Sequence, residues 1–169
     1  MKLFSTIYIF IILFAGCTVL SAQDTDTISK QDLNRITGSW KGSLTYLDYS
    51  TGKPYTMPAD VNVTQIGESN QFIFSRTYPD EPGANSADTV TISDNGKYFD
   101  DETVISRKLL HGGSIEIVTE VDGTDGNDNK PATIRHIYML GNNAFIIIKE
   151  VQFKGETEWI QRHEYNYTK

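Results

Sequence analysis

Residues 36–42 read ITGSWKG, and the reading of this stretch decides the fold. Gly38 and Gly42 bracket Trp40 directly after a polar run in which Ser29, followed three residues later by Asp32, gives an N-cap signal for one or two helical turns through Leu33 and Ile36. A short helix ending at Gly38 is expected. Beyond it the chain is punctuated at strand spacing, with Trp40, Leu44 and Tyr46 on one face of a first strand and Lys41, Ser43 and Thr45 on the other.

The alternation continues outward from there. YSTGKP at 49–54 supplies a turn, and ADVNVTQIG carries a second strand whose earlier start is opposed by Pro58. QFIFSRTY then places Phe72, Phe74, Arg76 and Tyr78 on one face. After the loop PDEPGANSAD come TVTIS and TVISRKLL, separated by the DNG turn at 94–96, and HGG at 111–113 leads into SIEIVTEV. The segments ATIRHIYML, NAFIIIKEVQF and TEWIQRHEYNY finish the chain. Their connections are too short for parallel crossovers, which need a dozen or more residues. The expected fold is all-β: an antiparallel up-and-down meander of about 8–9 strands, closing into a barrel that removes its exposed edges.

A short helical turn followed by Gly-x-Trp at the start of the first strand resembles the lipocalin and wider calycin pattern, with Gly38, Trp40 and Gly42 matching it. The resemblance implies a lipocalin-like β-barrel in which Trp40 plugs the closed end and an Arg from the last strand lies across its ring. Arg162 in WIQRHEY is the residue best placed for that role. The middle Thr-Asp-Tyr-like motif of the family has no clear counterpart, and the paired cysteines common in secreted lipocalins are absent.

The amino end has the build of a signal peptide: Lys2, an uncharged apolar run from Ile7 to Ala15, then small residues. Two cleavage readings stay open. Cleavage after Ala22 gives residues 1–22 as signal peptide, 23–35 as leader and short helix, and 36–169 as the barrel domain of a periplasmic or secreted protein. FAGC at 14–17 instead resembles a bacterial lipobox, which would lipidate Cys17 and anchor the chain at the cell envelope. Cys17 is the single cysteine, so the mature chain cut after Ala22 has no disulfide, thiol nucleophile or cysteine metal site. Its charge becomes 14 minus 22, or −8, which argues against nucleic-acid binding.

Among candidate chemistries, His111, His136 and His163 show no His-x-His or Glu-x-x-His spacing, and no metal or cofactor is expected. The oxygen-rich loop at 122–129 fails the calcium-loop register at Lys130. No Gly-x-Ser-x-Gly elbow occurs, and the chain is read as non-catalytic; an enzyme would need a buried His of strongly shifted pKa beside a carboxylate. Phe72, Phe74, Arg76 and Tyr78, with His136 and Tyr138 on a later strand, combine apolar walls with polar tips, the composition of a ligand pocket. They are expected to bind a small hydrophobic or amphipathic ligand, with Arg76 and Tyr78 taking an anionic head group. The alternative is a barrel filled by its own side chains that contacts a protein or glycan partner.

Overall fold

The structure is a computed structural model that describes residues 25–48 and 51–169. The expected signal peptide, both candidate cleavage sites and Cys17 lie outside the described residues. Helix α1 (Lys30–Asn34) carries the expected cap, since the Asp32 carboxylate accepts the Ser29 backbone N–H at 3.0 Å. A box of this kind satisfies a donor that the helix leaves unpaired.

Among the described residues, eleven strands form one antiparallel sheet. They are β1 (Gly38–Asp48), β2 (Lys53–Pro58), β3 (Asp60–Gln65), β4 (Gln71–Thr77), β5 (Ser86–Thr91), β6 (Tyr98–Phe99), β7 (Glu102–Leu109), β8 (Ile115–Asp125), β9 (Lys130–Leu140), β10 (Ala144–Phe153) and β11 (Ile160–Thr168). The order is β5-β4-β3-β1-β11-β10-β9-β8-β7-β6, with β2 also on β1. Its two ends meet at the Ile92–Phe99 bridge and at the Asp100 N–H to Thr91 carbonyl bond of 2.7 Å, so the barrel is nearly closed.

The count exceeds the expected nine because β2 and β6 carry no strong strand signal. β2 and β3 share one register on β1, with Ser43 opposite Pro58 and Trp40 opposite Val61. Between them Ala59 N–H donates to the Gly42 carbonyl at 2.9 Å. That bond sets the alternation: Pro54 and Pro58 fall at positions whose nitrogens face away from β1, where a missing N–H costs no ladder bond.

One end of the barrel is packed shut. Trp40 Nε1 donates to the Ile36 carbonyl at 2.7 Å, and its ring meets Phe145 edge-on at 4.9 Å. Leu33, Ile36, Phe72, Ile115, Leu140 and Tyr167 complete this floor. Burying an indole removes about 150–250 Å² from water, about 4–6 kcal/mol by area. The answer to the opening stretch is here. Gly38 has φ +107°, which lets the chain leave α1 for β1, and a Cβ on Gly42 would collide with the Asn166 carbonyl oxygen and come within 2.6 Å of Tyr167 Cδ1.

The leader is not loose from Thr25 onward. Thr25 pairs with Arg107 of β7, and Ile28 N–H donates to the Gly96 carbonyl at 2.9 Å. Asp32, 4% exposed, takes both Nε and Nη2 of Arg107 at 3.0 and 2.8 Å. This bidentate pair fastens the helix over the floor.

The expected stacking of Arg162 on Trp40 is corrected. β1 and β11 run antiparallel with Lys41 opposite Thr168, which sets Trp40 beside Lys169 and leaves Arg162 at the far end of its strand. Lys169 Nζ lies 4.5 Å from the Trp40 ring centroid, whereas the Arg162 guanidinium lies 5.4 Å from the Phe153 ring and pairs with Asp125 at 2.6 Å.

Candidate functional site

The opposite half of the barrel holds a cavity of about 90 Å³ lined by Phe74, Arg76, Val90, Phe99, His136, Tyr138, Ile147, His163 and Tyr165. Strand alternation assembles it. Phe74 and Arg76 come from β4, His136 and Tyr138 from β9, and His163 and Tyr165 from β11, each pair two residues apart and therefore on one face. Of the six expected ligand-binding residues, four line this cavity. Phe72 belongs to the packed floor, and Tyr78 sits just beyond β4 in a satellite cluster with Met57 and Ala59. The Tyr78 hydroxyl still reaches the cavity wall, 2.8 Å from the Tyr165 hydroxyl.

Arg76 is the cationic member. It pairs with Asp88 at 2.6 Å, and its guanidinium stands 5.5 and 5.7 Å from the Tyr165 and Phe74 rings. Its Nε is buried without a hydrogen-bond partner among the described residues, as is the Tyr167 hydroxyl. Burial raises the pKa of Tyr138, Tyr165 and Tyr167, so all three phenols stay protonated and able to donate at neutral pH.

Sequence spacing missed the polar layer that faces these residues. Glu102 Oε1 of β7 lies 2.7 Å from His136 Nδ1, and Thr119 Oγ1 of β8, fully buried, donates to Glu102 Oε2. The His163 ring centroid is 6.5 Å from that of His136. Burial, then the charges of His136, Lys149 and Arg76, lower the His163 pKa to about 4. Beyond them, Asp125 pairs with Arg162 at 2.6 Å and Lys149 at 3.3 Å. A register shift between Lys149 and Glu150 makes Arg162 the extra residue of a bulge, which turns it to the same side as His163. Among the described residues, no group of three His, Cys, Asp or Glu stands close enough to hold a metal ion.

No family model and no curated protein matches the sequence. The fold does match solved structures. Rv2717c from M. tuberculosis aligns at 12% identity over 82% of this chain and 95% of its own, with a TM-score of 0.48. The S-type phycobiliprotein lyase CPES from Guillardia theta aligns at 7% identity over 84% and 93%, with a TM-score of 0.46. These likenesses are of fold, and the chain's own sheet is antiparallel and nearly closed into a barrel. The expectation of a non-catalytic chain is withdrawn, since one of these likenesses is to a phycobiliprotein lyase. Glu102 beside His136 supplies the carboxylate of the condition set from sequence, whereas the strongly lowered pKa belongs to His163, whose ring centroid is 6.5 Å from that of His136.

Proposed function

We propose that this chain is an exported protein that binds a small molecule with an apolar or aromatic body and a polar or anionic head in the open half of its barrel. One observation carries the reading: a single cavity sets Phe74, Val90, Phe99 and Ile147 against Arg76, His136 and His163. Apolar walls with a few convergent polar groups are the build of small-molecule sites. The enclosed space equals the liquid share of about three waters, so it takes the head or a single ring, and a larger ligand extends past Arg76 and Asp88.

The reading is tested with benzoate, an aromatic ring carrying a carboxylate. Titration followed by NMR should shift the His136, Tyr138 and His163 ring signals. Arg76→Ala should weaken the interaction about tenfold, the value of one charge-assisted hydrogen bond of about 1.5 kcal/mol. Native mass spectrometry of protein from its own host should show a chain beginning at Gln23 and extra mass lost on mild activation. A lipid-bearing chain beginning at Cys17 would replace soluble export with anchoring.

The small enclosed volume favours a second reading, a packed module that contacts a protein or glycan partner. A bare mass together with unmoved ring signals would select it and overturn the first.

A further inference from the structure

We infer that His136 is a general base that removes an acidic hydrogen from a small carbonyl compound held in the cavity, with Glu102 as its positioning residue and Arg76 facing the oxygen that gains charge. The inference rests on the ligand-binding reading above and gives it a substrate class and a reaction.

The argument starts from Glu102, an acceptor at both oxygens when ionised. Thr119 Oγ1 donates to one of them, and His136 Nδ1 stands 2.7 Å from the other. An ionised carboxylate has no proton to give, so a contact this close calls for the ring proton on Nδ1. In the neutral form of the ring a proton on Nδ1 leaves the lone pair on Nε2, which nothing among the described residues hydrogen-bonds. The Nδ1 contact is short but out of line with the ring N–H; pairs of this kind often straighten only when substrate is bound.

Thr119 holds no position by accident. It is the one hydroxyl in the inward row Ile115, Ile117, Thr119 of β8, and it is fully buried. A Val there would fill the barrel equally well, so the hydroxyl serves Glu102. Other charged or titratable groups in the same layer are His163 and the groups that act on it, Lys149, Arg76 and Asp125, with the protonated phenols of Tyr138 and Tyr165 on the cavity wall. Arg76, paired with Asp88 through Nη1, brings a guanidinium to the same cavity, and its Nε makes no hydrogen bond of good geometry among the described residues.

The step balances without an oxidant or a second reactant. The Nε2 lone pair forms an N–H bond as the C–H bond next to the carbonyl breaks. That bond's electron pair moves into the carbon–carbon bond, and the carbonyl pair moves onto oxygen, giving an enolate. When the hydrogen on Nε2 is first replaced from solvent, its delivery to the same carbon gives hydrogen exchange; in a substrate with a hydroxyl beside the carbonyl, delivery to the neighbouring carbon gives isomerisation.

The test uses acetone, the smallest ketone, in D2O, with loss of its methyl proton signal followed by NMR. The wild-type protein should exceed His136→Gln by about 100-fold, the lower range for a positioned base. Glu102→Gln should lose rate and shift the pH profile, which a purely structural role would not do. Benzoate is titrated into each protein in parallel. Benzoate binding with exchange equal to that of His136→Gln overturns the proton-transfer inference alone. Failure of benzoate binding overturns the cavity reading and this inference with it. Should His136→Gln fail to fold, nitrogen-15 correlation spectra of the wild-type His136 ring decide: a proton on Nδ1 is expected, and a proton on Nε2 instead overturns the inference.

Discussion

Lys169 Nζ, on the last residue of the chain, lies 4.5 Å from the centroid of the Trp40 ring. The pairing of β1 with β11 produces this contact, because it brings the carboxyl end of the chain back to the start of the first strand. Most of Trp40's contribution is burial, with 2% of the residue exposed, and the cation adds little at an exposed end. Trp40→Ala should cost about 3–5 kcal/mol in a urea titration, and Lys169→Ala less than about 1 kcal/mol. Arg162→Ala should leave the Trp40 fluorescence unchanged, and a change there would overturn the assignment of Lys169.

Gly42 offers a sharper test of the same end. Its missing side chain is filled by the Asn166 backbone and the Tyr167 ring, neither of which can retreat without moving β11. Gly42→Ala should destabilise by about 1–3 kcal/mol, the usual cost of overpacking. Gly83→Ala, with nothing near its Cβ and an ordinary φ, should stay within about 0.5 kcal/mol. Equal effects in thermal melts would contradict the close approach of β1 and β11.

Period-two alternation made the barrel legible, since it names one face of each strand. Phe74 with Arg76, and His136 with Tyr138, were found that way because each pair shares a parity within one strand. Glu102 and Thr119 were not. They meet His136 only through the lateral pairing of β7, β8 and β9, and a carboxylate 34 residues from its histidine leaves no local spacing to read. Arg162 misled for a related reason, because strand register, absent from any single segment, decides which residue of β11 faces Trp40. β2 stayed hidden since its prolines argue against a strand until the edge they face is known.

Asp32 and Arg107 should be worth more than any surface pair. Asp32 is nearly inaccessible and binds two guanidinium nitrogens, so removing it leaves Arg107 half-buried without its partner and uncaps α1. Asp32→Ala should cost about 3–5 kcal/mol. Lys97→Ala, which breaks an exposed pair with Asp26 at 3.4 Å in the same region, should cost less than about 1 kcal/mol. Comparable losses in denaturant would show that the strap over the closed end contributes nothing beyond surface charge.

His163 should make the fold sensitive to mild acid. Its pKa falls from an ordinary 6.5 to about 4, first because it is buried and then because His136, Lys149 and Arg76 face it, with Asp125 opposing them. The sign follows from linkage. Below pH 6.5 the unfolded chain takes up a proton that the folded chain refuses until about pH 4, so stability falls as pH drops through that window and is unaffected by this group above it. Between pH 7.5 and pH 5 the loss from this group is about 2 kcal/mol. His163→Gln, which cannot titrate, should lose about that much less than the wild-type protein in urea titrations at the two pH values. If both proteins lose the same amount, His163 is charged or solvated in the fold, and its burial at the cavity wall is wrong.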